Sequence, residues 1–483
     1  MPSLDFRDFL GQLEQQGQLV RLSDEILPEP DVRAVARAAA DMVDTGPAVV
    51  MDNIKGYKGK KLAVNVHGSW ANYAIMMGMP KTTSLKEMFY ELARRWESSA
   101  GEVKWVTNPV CQQNVITSNI NLYEILPLYR INPYDGGFYF SKASVITRDP
   151  EYPGNLDKTN VGLYRMQVHG PDTIGLNIQP AHDIGTHLRK AEENNQPLPI
   201  AICLGVHPML SVMACTPLAY GQSEFKFAAA LDGRTQELAK ALTCDLDLPA
   251  GTEIILEGEV VPRQRTAEGP FGEMPGCYSA LRSQYRIKVK AVTHRNDPIM
   301  ESLYVGMPWT EHDTLVGLST CVPLYQQLRE TMPEVTAVNA LYQHGLTVIV
   351  AVDNKFGHYA KTVAMRLAST PHGVSYCKNI ILVDGSVDPF DLPQVMWALS
   401  TRVRPDKDVI VIHPTRGHPS DPSSEPPGIS GKVIIDATTP AYPDKTGPEY
   451  RLIDKVENSD LFRQKLQELQ RLVSGRKLEP TTV

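Results

Sequence analysis

Apolar residues recur at helical spacing in three stretches of the first hundred positions of this 483-residue chain. The first stretch predicts a helix at about 4–16, because its apolar residues share one helical face, and a second helix is predicted near 30–43. A third helix begins at Ser84, which forms a capping-box pattern with Glu87. Between the second and third helices, short apolar runs predict strands at 48–51 and 61–64.

The middle of the chain, about 115–300, carries mainly strand patterns. Apolar and basic residues alternate over 285–291, which predicts a half-buried strand. Further apolar runs predict strands at 162–168, 199–206, 209–215 and 254–256. The stretch 197–220 lacks Asp, Glu, Lys and Arg, but its four prolines divide it into pieces too short to span a bilayer.

From about residue 301 the pattern changes to strands that alternate with helices. Helices near 355–368 and 391–402 are the expected crossovers between strands of one sheet. The strands themselves are continuous apolar runs, which are typical of parallel strands buried on both faces. They lie at 347–352, 380–383 and 409–412.

Two segments near the C-terminus have patterns of their own. Residues 413–428 include five prolines and three serines and predict a loop, which is either a lid over a site or a passive surface loop. A last helix at 459–473 carries an apolar stripe that either packs on its own domain or mediates assembly. The stripe consists of Leu461, Phe462, Leu466, Leu469, Leu472 and Val473.

Together these patterns predict an α/β (α+β) fold in four parts. An N-terminal α/β domain spans 1–114, and a β-rich domain spans 115–300. A C-terminal α/β domain spans 301–455, and the terminal helix and tail span 456–483. A chain of this length is long enough for two or three domains with substantial cores.

Composition narrows the class of protein. Charged residues make up 21% and apolar residues 42%, which is typical of a soluble globular enzyme. The formal net charge of −7 gives no reason to expect nucleic acid or an anionic membrane as a partner. Seven cysteines without CxxC pairs indicate reduced thiols and a cytoplasmic location, and we expect no secretory leader.

The hexapeptide 268–273 has the most suggestive chemistry. Glu268 and Glu273 would point to opposite faces of a straight strand, but Gly-Pro and Phe-Gly between them allow a sharp bend. Both acids can then converge, so that one remains a carboxylate while the other holds a proton. The alternative is an ordinary β-turn flanked by two solvated glutamates.

A second polar cluster lies upstream and combines Asn160, His182 and Glu224. An amide oxygen, an imidazole nitrogen and a carboxylate form a mixed set that suits Mn²⁺ or Mg²⁺ better than a structural zinc. Arg165 reaches the same pocket as Asn160 if the chain bends near Gly162. Taken singly, each of these residues is more often an ordinary surface, core or turn residue.

The chain resembles the UbiD family of prenylated-flavin-dependent decarboxylases in the order of its polar residues: Asn160, Arg165, His182, Glu224, Glu268 and Glu273. The resemblance extends roughly from residue 5 to 455 and is closest to the large subunit of phenolic acid (4-hydroxybenzoate/vanillate) decarboxylases. It rests on segments 165–168, 301–311, 321–328, 388–390, 392–399 and 434–440. The resemblance implies that the central domain is a split β-barrel that binds prenylated FMN.

The resemblance also implies roles for individual residues. Asn160, His182 and Glu224 are expected to bind Mn²⁺, or Mg²⁺ in its place, against the flavin phosphate, and K⁺ is compatible as a second cation. Arg165 is expected to bind the substrate carboxylate, with Glu268 holding Arg165 and Glu273 acting as general acid. Further expected contacts to the cofactor are Leu163, Tyr164, Arg165, Ile178, Gln179, Pro180, Asp183 and, at the phosphate, Lys378.

The implied reaction is the reversible, non-oxidative decarboxylation of an aromatic acid, most simply a phenolic one. Residues 274–278 depart from the pattern expected for 4-hydroxybenzoate and vanillate decarboxylases, whereas 416–422 look more like the gallate and protocatechuate branch. The alternatives are another unsaturated or heteroaromatic acid, or a non-catalytic flavin-binding subunit. The implied partners are a flavin prenyltransferase, small companion subunits and further copies of the chain in a dimer or hexamer.

Overall fold

The computed structural model of the protein describes residues 5–97, 101–441, 453 and 456–475. Both helices and strands occur throughout these residues, so the predicted α/β (α+β) class is confirmed. The N-terminal elements are α1 (Phe6–Gln15), β1 (Leu19–Leu22), α2 (Asp31–Asp41), β2 (Ala48–Met51), β3 (Lys61–Val64), α3 (Trp70–Met76) and α4 (Leu85–Trp96).

The N-terminal elements follow local signals in the sequence. Strands β2 and β3 have the predicted bounds, and helices α1 and α2 overlap the two predicted helices. Residue 4, the predicted start of the first helix, lies outside the described part of the chain. Helix α4 begins after Ser84, whose hydroxyl accepts the Glu87 N–H while the Glu87 carboxylate accepts the Ser84 N–H. The predicted capping box is therefore confirmed.

The middle of the chain forms most of the strands. Its elements are β4 (Val103–Trp105), β5 (Asn114–Ile116), α5 (Leu122–Ile125), β6 (Tyr139–Phe140), β7 (Ser144–Arg148), β8 (Thr159–Leu163), β9 (Met166–Gly170), β10 (Thr173–Leu176), α6 (Asp183–Glu193), β11 (Leu198–Leu204), α7 (Pro208–Met213), α8 (Glu224–Asp232), β12 (Gln236–Lys240), β13 (Asp247–Pro249), β14 (Ile254–Glu268), β15 (Arg282–His294) and β16 (Ile299–Glu301).

A nine-stranded sheet dominates this middle part. Its order is β6-β9-β10-β15-β14-β11-β7-β8, with β5 beside β15. The predicted alternation on β15 is confirmed, because Ile287 and Val289 are buried whereas Lys288 and Lys290 are exposed. Within the described residues no pairing joins β6 to β8, so the hydrogen-bonded sheet is open. Strand β16 does not belong to this sheet and instead pairs in parallel with β3 of the N-terminal part.

Two predictions for the middle part were wrong. Residues 209–215 were predicted as a strand but lie mainly in helix α7, which begins with Pro208 and is buried on every side. A fully buried run shows no helical period, so its apolar residues did not distinguish helix from strand. The predicted strand 162–168 is divided between β8 and β9, which are interrupted at Tyr164 and Arg165.

The C-terminal part contains a five-stranded sheet in the order β17-β18-β19-β21-β20. Its elements are α9 (Glu311–Arg329), β17 (Val335–Tyr342), β18 (Thr347–Val352), α10 (Tyr359–Ala368), α11 (Pro371–Ser375), β19 (Asn379–Asp384), α12 (Leu392–Arg402), β20 (Val409–Arg416), β21 (Ile429–Ala437) and α13 (Ser459–Gly475). Strands β18 and β19 are parallel, as predicted, and helices α10 and α12 fall where crossovers were expected.

Strand β20 differs from its prediction as a doubly buried parallel strand. It lies at the edge of the sheet and runs antiparallel to β21, and its Val411 side chain is 71% exposed. It also continues to Arg416, so the predicted loop at 413–428 begins four residues later. An edge strand needs only one buried face, which the apolar run did not indicate.

Helix α13 keeps its apolar stripe exposed. The side chains of Leu461, Phe462, Leu466 and Leu469 are 48–66% exposed, so they do not pack on the described body of the chain. Leu472 and Val473 of the predicted stripe have side chains outside the described part. No helix among the described residues is long and apolar enough to cross a membrane.

Candidate active site

A cavity of about 450 Å³ lies where the middle part meets the C-terminal part. Its lining comes from β8, the segment 177–183, the first residue of α8, the turn after β14 and the start of α9. Residues 214–218 also line it, and His344, residues 371–376 and His418 contribute from the C-terminal part. The volume falls within the usual range for a small-molecule or cofactor site.

The break between β8 and β9 places Arg165 at this cavity. A bend was predicted near Gly162, but the strand continues to Leu163 and the interruption is at Tyr164 and Arg165. Gly162 is needed for another reason: a Cβ on it would lie 2.4 Å from the ring of Tyr164. The tyrosine ring therefore covers the strand, and Arg165 turns out of the sheet.

Arg165 and Glu268 form a two-pronged ion pair. Arg165 Nε donates to Glu268 Oε1 at 2.8 Å, and Nη2 donates to Oε2 at 3.2 Å. Glu268 is fully buried at the end of β14 and also accepts a hydrogen bond of 2.8 Å from Asn177 Nδ2. This carboxylate does not line the cavity and is fully engaged in orienting the guanidinium.

Glu273 meets the same guanidinium from the cavity side. Arg165 Nη1 donates to Glu273 Oε1, while Nη2 lies 3.4 Å from the Ser279 hydroxyl. The Phe271 ring centroid is 4.9 Å from Arg165 Cζ. Burial alone would lower the pKa of Arg165, but the two carboxylates outweigh it and raise the pKa, so the guanidinium stays charged. The turn thus brings both acids onto one cation.

The three residues expected to bind a metal line the same cavity. Asn160 lies on β8, His182 immediately precedes α6, and Glu224 is the first residue of α8. Glu224 Oε2 and Asn160 Nδ2 are buried and without a hydrogen-bond partner among the described residues. Burial raises the pKa of Glu224 to about 8. A carboxylate in this position fits a bound divalent cation, because an unpaired buried charge is costly.

The other expected cofactor contacts divide into two groups. Leu163, Tyr164, Ile178, Gln179 and Asp183 line the cavity. Pro180 and Lys378 do not line it. Lys378 Nζ instead donates to Asp421 Oδ2 at 2.9 Å and to the Ser423 hydroxyl, both in the loop after β20.

The loop after β20 reaches the cavity through His418. The side-chain nitrogens of Gln179 and His418 are 2.9 Å apart. Gln179, which was expected to contact the cofactor, therefore contacts this loop, which was predicted to be either a lid or a passive surface loop. In this structure the loop covers one edge of the cavity.

Several other residues at the cavity were not identified from the sequence. His372 and Tyr376 stack at 4.3 Å between ring centroids, and Tyr376 also lies 4.8 Å from His344 and 4.5 Å from His418. Burial lowers the pKa values of His372 and His418 to about 4, so these imidazoles are neutral near pH 7. Asn177 and His312 also line the cavity and were missed, as was Ser279, which contacts Arg165 without lining the cavity.

A buried cluster outside the cavity has metal-like spacing but is already neutralised. The ligand atoms of His67, Glu301 and Glu311 lie within 4.8 Å of one another. Lys142 Nζ lies 2.8 Å from His67 Nδ1, 2.7 Å from a Glu301 oxygen and 2.6 Å from a Glu311 oxygen. The ammonium group therefore takes the place that a cation would occupy.

Comparison with known proteins defines the class. Three domains of 3-octaprenyl-4-hydroxybenzoate carboxy-lyase match in succession: the N-terminal domain at residues 10–92, the Rift-related domain at 103–308 and the C-terminal domain at 313–437. The chain therefore belongs to the UbiD family of carboxy-lyases. The predictions that it resembles this family and is an enzyme are confirmed.

Relatives and solved structures agree with this assignment. The chain is 53% identical over 470 residues to a phenolic acid decarboxylase of Sedimentibacter hydroxybenzoicus, covering 96% of this chain and 98% of the relative. It is 50% identical over 466 residues to a phenolic acid decarboxylase of Bacillus subtilis, with the same coverage.

Two solved structures show the same fold over nearly the whole chain. The closed form of the S. hydroxybenzoicus vanillic acid decarboxylase ShVdcCD has a TM-score of 0.90 and 52% identity, with 97% of this chain and 99% of that chain covered. The UbiD-class enzyme HmfF from Pelotomaculum thermopropionicum, in complex with FMN, has a TM-score of 0.82 and 29% identity, with 95% and 98% covered.

Proposed function

We propose that the protein catalyses the reversible, non-oxidative decarboxylation of a phenolic carboxylic acid with prenylated FMN as cofactor. The main observation behind this proposal is that two acids pair with Arg165: Glu268 is buried behind the guanidinium, and Glu273 faces the cavity. The names of the relatives support the substrate class, since they are phenolic acid decarboxylases that cover almost the entire chain.

The cofactor is proposed to lie along β8 and the segment 177–183. When bound, prenylated FMN supplies the electron sink that decarboxylation of an aromatic ring requires, because no side chain can accept that charge. Asn160, His182 and Glu224 would hold Mn²⁺, or Mg²⁺, at the flavin phosphate. The unpartnered buried oxygen of Glu224 supports this metal assignment, and the FMN complex of HmfF supports a flavin as the cofactor. K⁺ as a second cation and the contact of Lys378 with the phosphate stay predictions.

Arg165 is proposed to bind and orient the carboxylate that leaves as CO₂. A guanidinium presents several N–H donors in one plane and matches a carboxylate. Because Glu268 occupies Nε and Nη2 from behind, Arg165 cannot swing away from the cavity. Holding the reactant in one orientation is worth several kcal/mol of the activation barrier.

Glu273 is proposed to deliver the proton that replaces CO₂. Its carboxyl group faces the cavity, with 14% of the side chain exposed, and lies against Arg165. Once the substrate carboxylate has left, a protonated Glu273 can transfer its proton to the ring carbon and become a carboxylate paired with Arg165. In the carboxylation direction the same group removes that proton, as reversibility requires.

The rest of the cavity suits a hydroxylated ring. Tyr376, His372 and His418 offer aromatic faces and neutral hydrogen-bonding groups rather than charges. Such a wall accommodates a phenol without an unpaired buried charge.

Partners are proposed on separate grounds. A flavin prenyltransferase must supply the cofactor. A small companion subunit is proposed because one solved structure of the related vanillic acid decarboxylase contains a truncated ShVdcD. A homo-oligomer, dimer or hexamer, is proposed because the apolar stripe on α13 is exposed. The cytoplasmic location predicted from the free cysteines stays a prediction.

The first experiment is to express the chain with and without a flavin prenyltransferase and to measure CO₂ release. The panel includes 4-hydroxybenzoate, vanillate, protocatechuate and gallate. Activity that appears only after co-expression is the expected result and identifies the substrate. Bound prenylated flavin without turnover of any phenolic acid would refute the proposed substrate class.

A second experiment tests the metal site through cofactor content. Glu224→Ala should lose most bound metal and flavin, measured by elemental analysis and by flavin absorbance after denaturation. Glu259→Ala, on the partly exposed side of β14 where it pairs with Lys290, is the matched control. Unchanged metal and flavin in Glu224→Ala would exclude the proposed ligand set.

A further inference from the structure

The turn that carries both acids is packed against residues 132–140, a loop that runs into β6 and has no role in the steps above. Gly136 N donates to Pro270 O at 2.8 Å, and a Cβ on Gly136 would lie 2.1 Å from Gly269 O. Only glycine permits two backbones to approach so closely. The Tyr139 and Phe271 rings add a contact of 4.6 Å between centroids. The two loops therefore form one packed unit.

Asp135 supplies the polar connection between these loops. Its Oδ1 accepts the Gly272 N–H at 2.9 Å, and its Oδ2 accepts the Asn132 N–H at 2.7 Å. The Gly272 N–H belongs to the Phe271–Gly272 peptide, and Glu273 is the next residue, so Asp135 holds the backbone that leads directly into Glu273. A Cβ on Gly272 would lie 2.3 Å from Asn132 Nδ2, which shows how closely the turn is enclosed.

The position is an unfavourable one for a carboxylate. Asp135 is 4% exposed, and burial raises its pKa to about 6, although the two backbone N–H groups and the charge of Arg165 oppose this rise. Both oxygens are used to hold backbone N–H groups rather than to contact the cavity. A buried carboxylate that accepts these two backbone N–H groups fixes the backbone conformation of the turn.

We propose that Asp135 is a positioning residue for the reaction: its carboxylate holds the Gly272 peptide and thereby sets the direction in which Glu273 faces Arg165 and the substrate. The proposal rests on the proposed role of Glu273 as proton donor. It predicts that loss of Asp135 lowers kcat and leaves binding of the acid almost unchanged, since the groups that bind the acid are not displaced.

The kinetic test compares Asp135→Asn and Asp135→Ala with the wild-type holoenzyme. Asp135→Ala should lower kcat by about 10- to 100-fold with little change in KM, as a small displacement of a catalytic group does. Asp135→Asn retains one hydrogen-bond acceptor, so its kcat should fall less than that of Asp135→Ala. It replaces the alanine variant in the test if Asp135→Ala does not fold. Asp436→Ala is the matched control, because Asp436 is buried and accepts the Thr438 N–H outside the cavity.

The discriminating measurement is the same substitution in a Glu273→Gln background. Once the proton donor is gone, its position no longer matters, so Asp135→Asn should cost little further activity. The same fold-loss in both backgrounds, or a loss in Asp135→Ala no larger than in Asp436→Ala, would overturn the proposal.

Amide hydrogen exchange of the peptide covering 269–277 tests the geometry without any turnover. Faster exchange in Asp135→Ala than in wild type is expected, with unchanged flavin content. Unchanged exchange would overturn the positioning role even if activity fell. If the wild type decarboxylates no acid, the proposed function fails while this measurement still decides whether Asp135 fixes the turn.

Discussion

Two groups of residues lie at or directly behind the cavity wall, and they are held in place by different forces. Arg165, Glu268 and Glu273 come from the large sheet and the turn after β14, and charge-assisted hydrogen bonds join them. The aromatic group of His344, His372, Tyr376 and His418 comes from the C-terminal part, and ring contacts of 4.3–5.0 Å join it.

The proposed function would use the two groups in different ways. A proton donor and a carboxylate-binding cation must be placed within a few tenths of an ångström, and hydrogen bonds with defined directions achieve that. A wall that receives a flat ring needs shape and neutrality more than direction, and stacked rings provide both. We therefore expect substitutions in the first group to change mainly kcat and those in the second group to change mainly KM.

The largest expected effect is that of Glu273→Gln. The amide can still accept a hydrogen bond from Arg165 but has no acidic proton to deliver, so kcat should fall by about 10²- to 10⁴-fold. KM should change little, because the shape of the cavity is kept. Steady-state kinetics of CO₂ release measure both parameters, with Glu259→Gln as the control. Activity within a few-fold of wild type would assign the proton transfer to another group.

A smaller effect is expected when the support of the aromatic group is removed. Lys432 Nζ donates to Gly373 O at 2.8 Å, Cys377 O at 2.7 Å and Val374 O at 3.1 Å, and so fixes the chain that carries His372 and Tyr376. Lys432→Met leaves these carbonyls unpaired, and KM should rise by about 10-fold, equivalent to about 1.4 kcal/mol.

The control for this substitution is Lys361→Met, which removes an ammonium group that donates to the Lys407 carbonyl and pairs with Asp408 outside the cavity. Kinetics should be measured together with melting temperatures, since Lys432→Met also lowers stability. A loss in kcat with constant KM would contradict the division between the two groups.

Local signals explain which parts of the fold were predictable. The capping box of Ser84, the alternation on β15 and the short strands β2 and β3 each depend on residues close in sequence. Helix α7 was missed because burial on all sides removes its period, and β20 was misassigned because its antiparallel partner follows a long loop. Pairing between distant strands leaves little trace in either strand alone.

The residues of the site likewise divide into those that could be predicted from the sequence and those that could not. The resemblance pointed to Arg165 and the two glutamates, and the flexible residues between the acids explained how they converge. The histidines of the aromatic group are spread from 344 to 418 with no common spacing, and only the fold brings them together. Asn177 escaped notice although it directly precedes the predicted contact segment 178–180, because an isolated asparagine carries no distinctive pattern.

The last prediction concerns stability rather than turnover and tests whether the imidazole of His372 is neutral in the folded protein. His372 has a folded-state pKa of about 4, lowered by burial from 6.5. Between these values the unfolded chain binds a proton that the folded chain does not, so stability is lost as the pH falls from 6.5 towards 4. One such histidine accounts for at most about 1.4 kcal/mol per pH unit.

Denaturant unfolding at pH 7.0, 6.0 and 5.0 can measure this contribution by difference. His372→Gln keeps a donor for the His344 carbonyl, which His372 Nε2 approaches at 3.0 Å, but cannot be protonated. Its free energy of unfolding should fall less steeply with decreasing pH than that of wild type, while His413→Gln, at an exposed position, controls for the substitution itself. Equal slopes in wild type and His372→Gln would mean that His372 takes up a proton as readily in the folded protein as in the unfolded chain, and burial would then not keep this imidazole neutral.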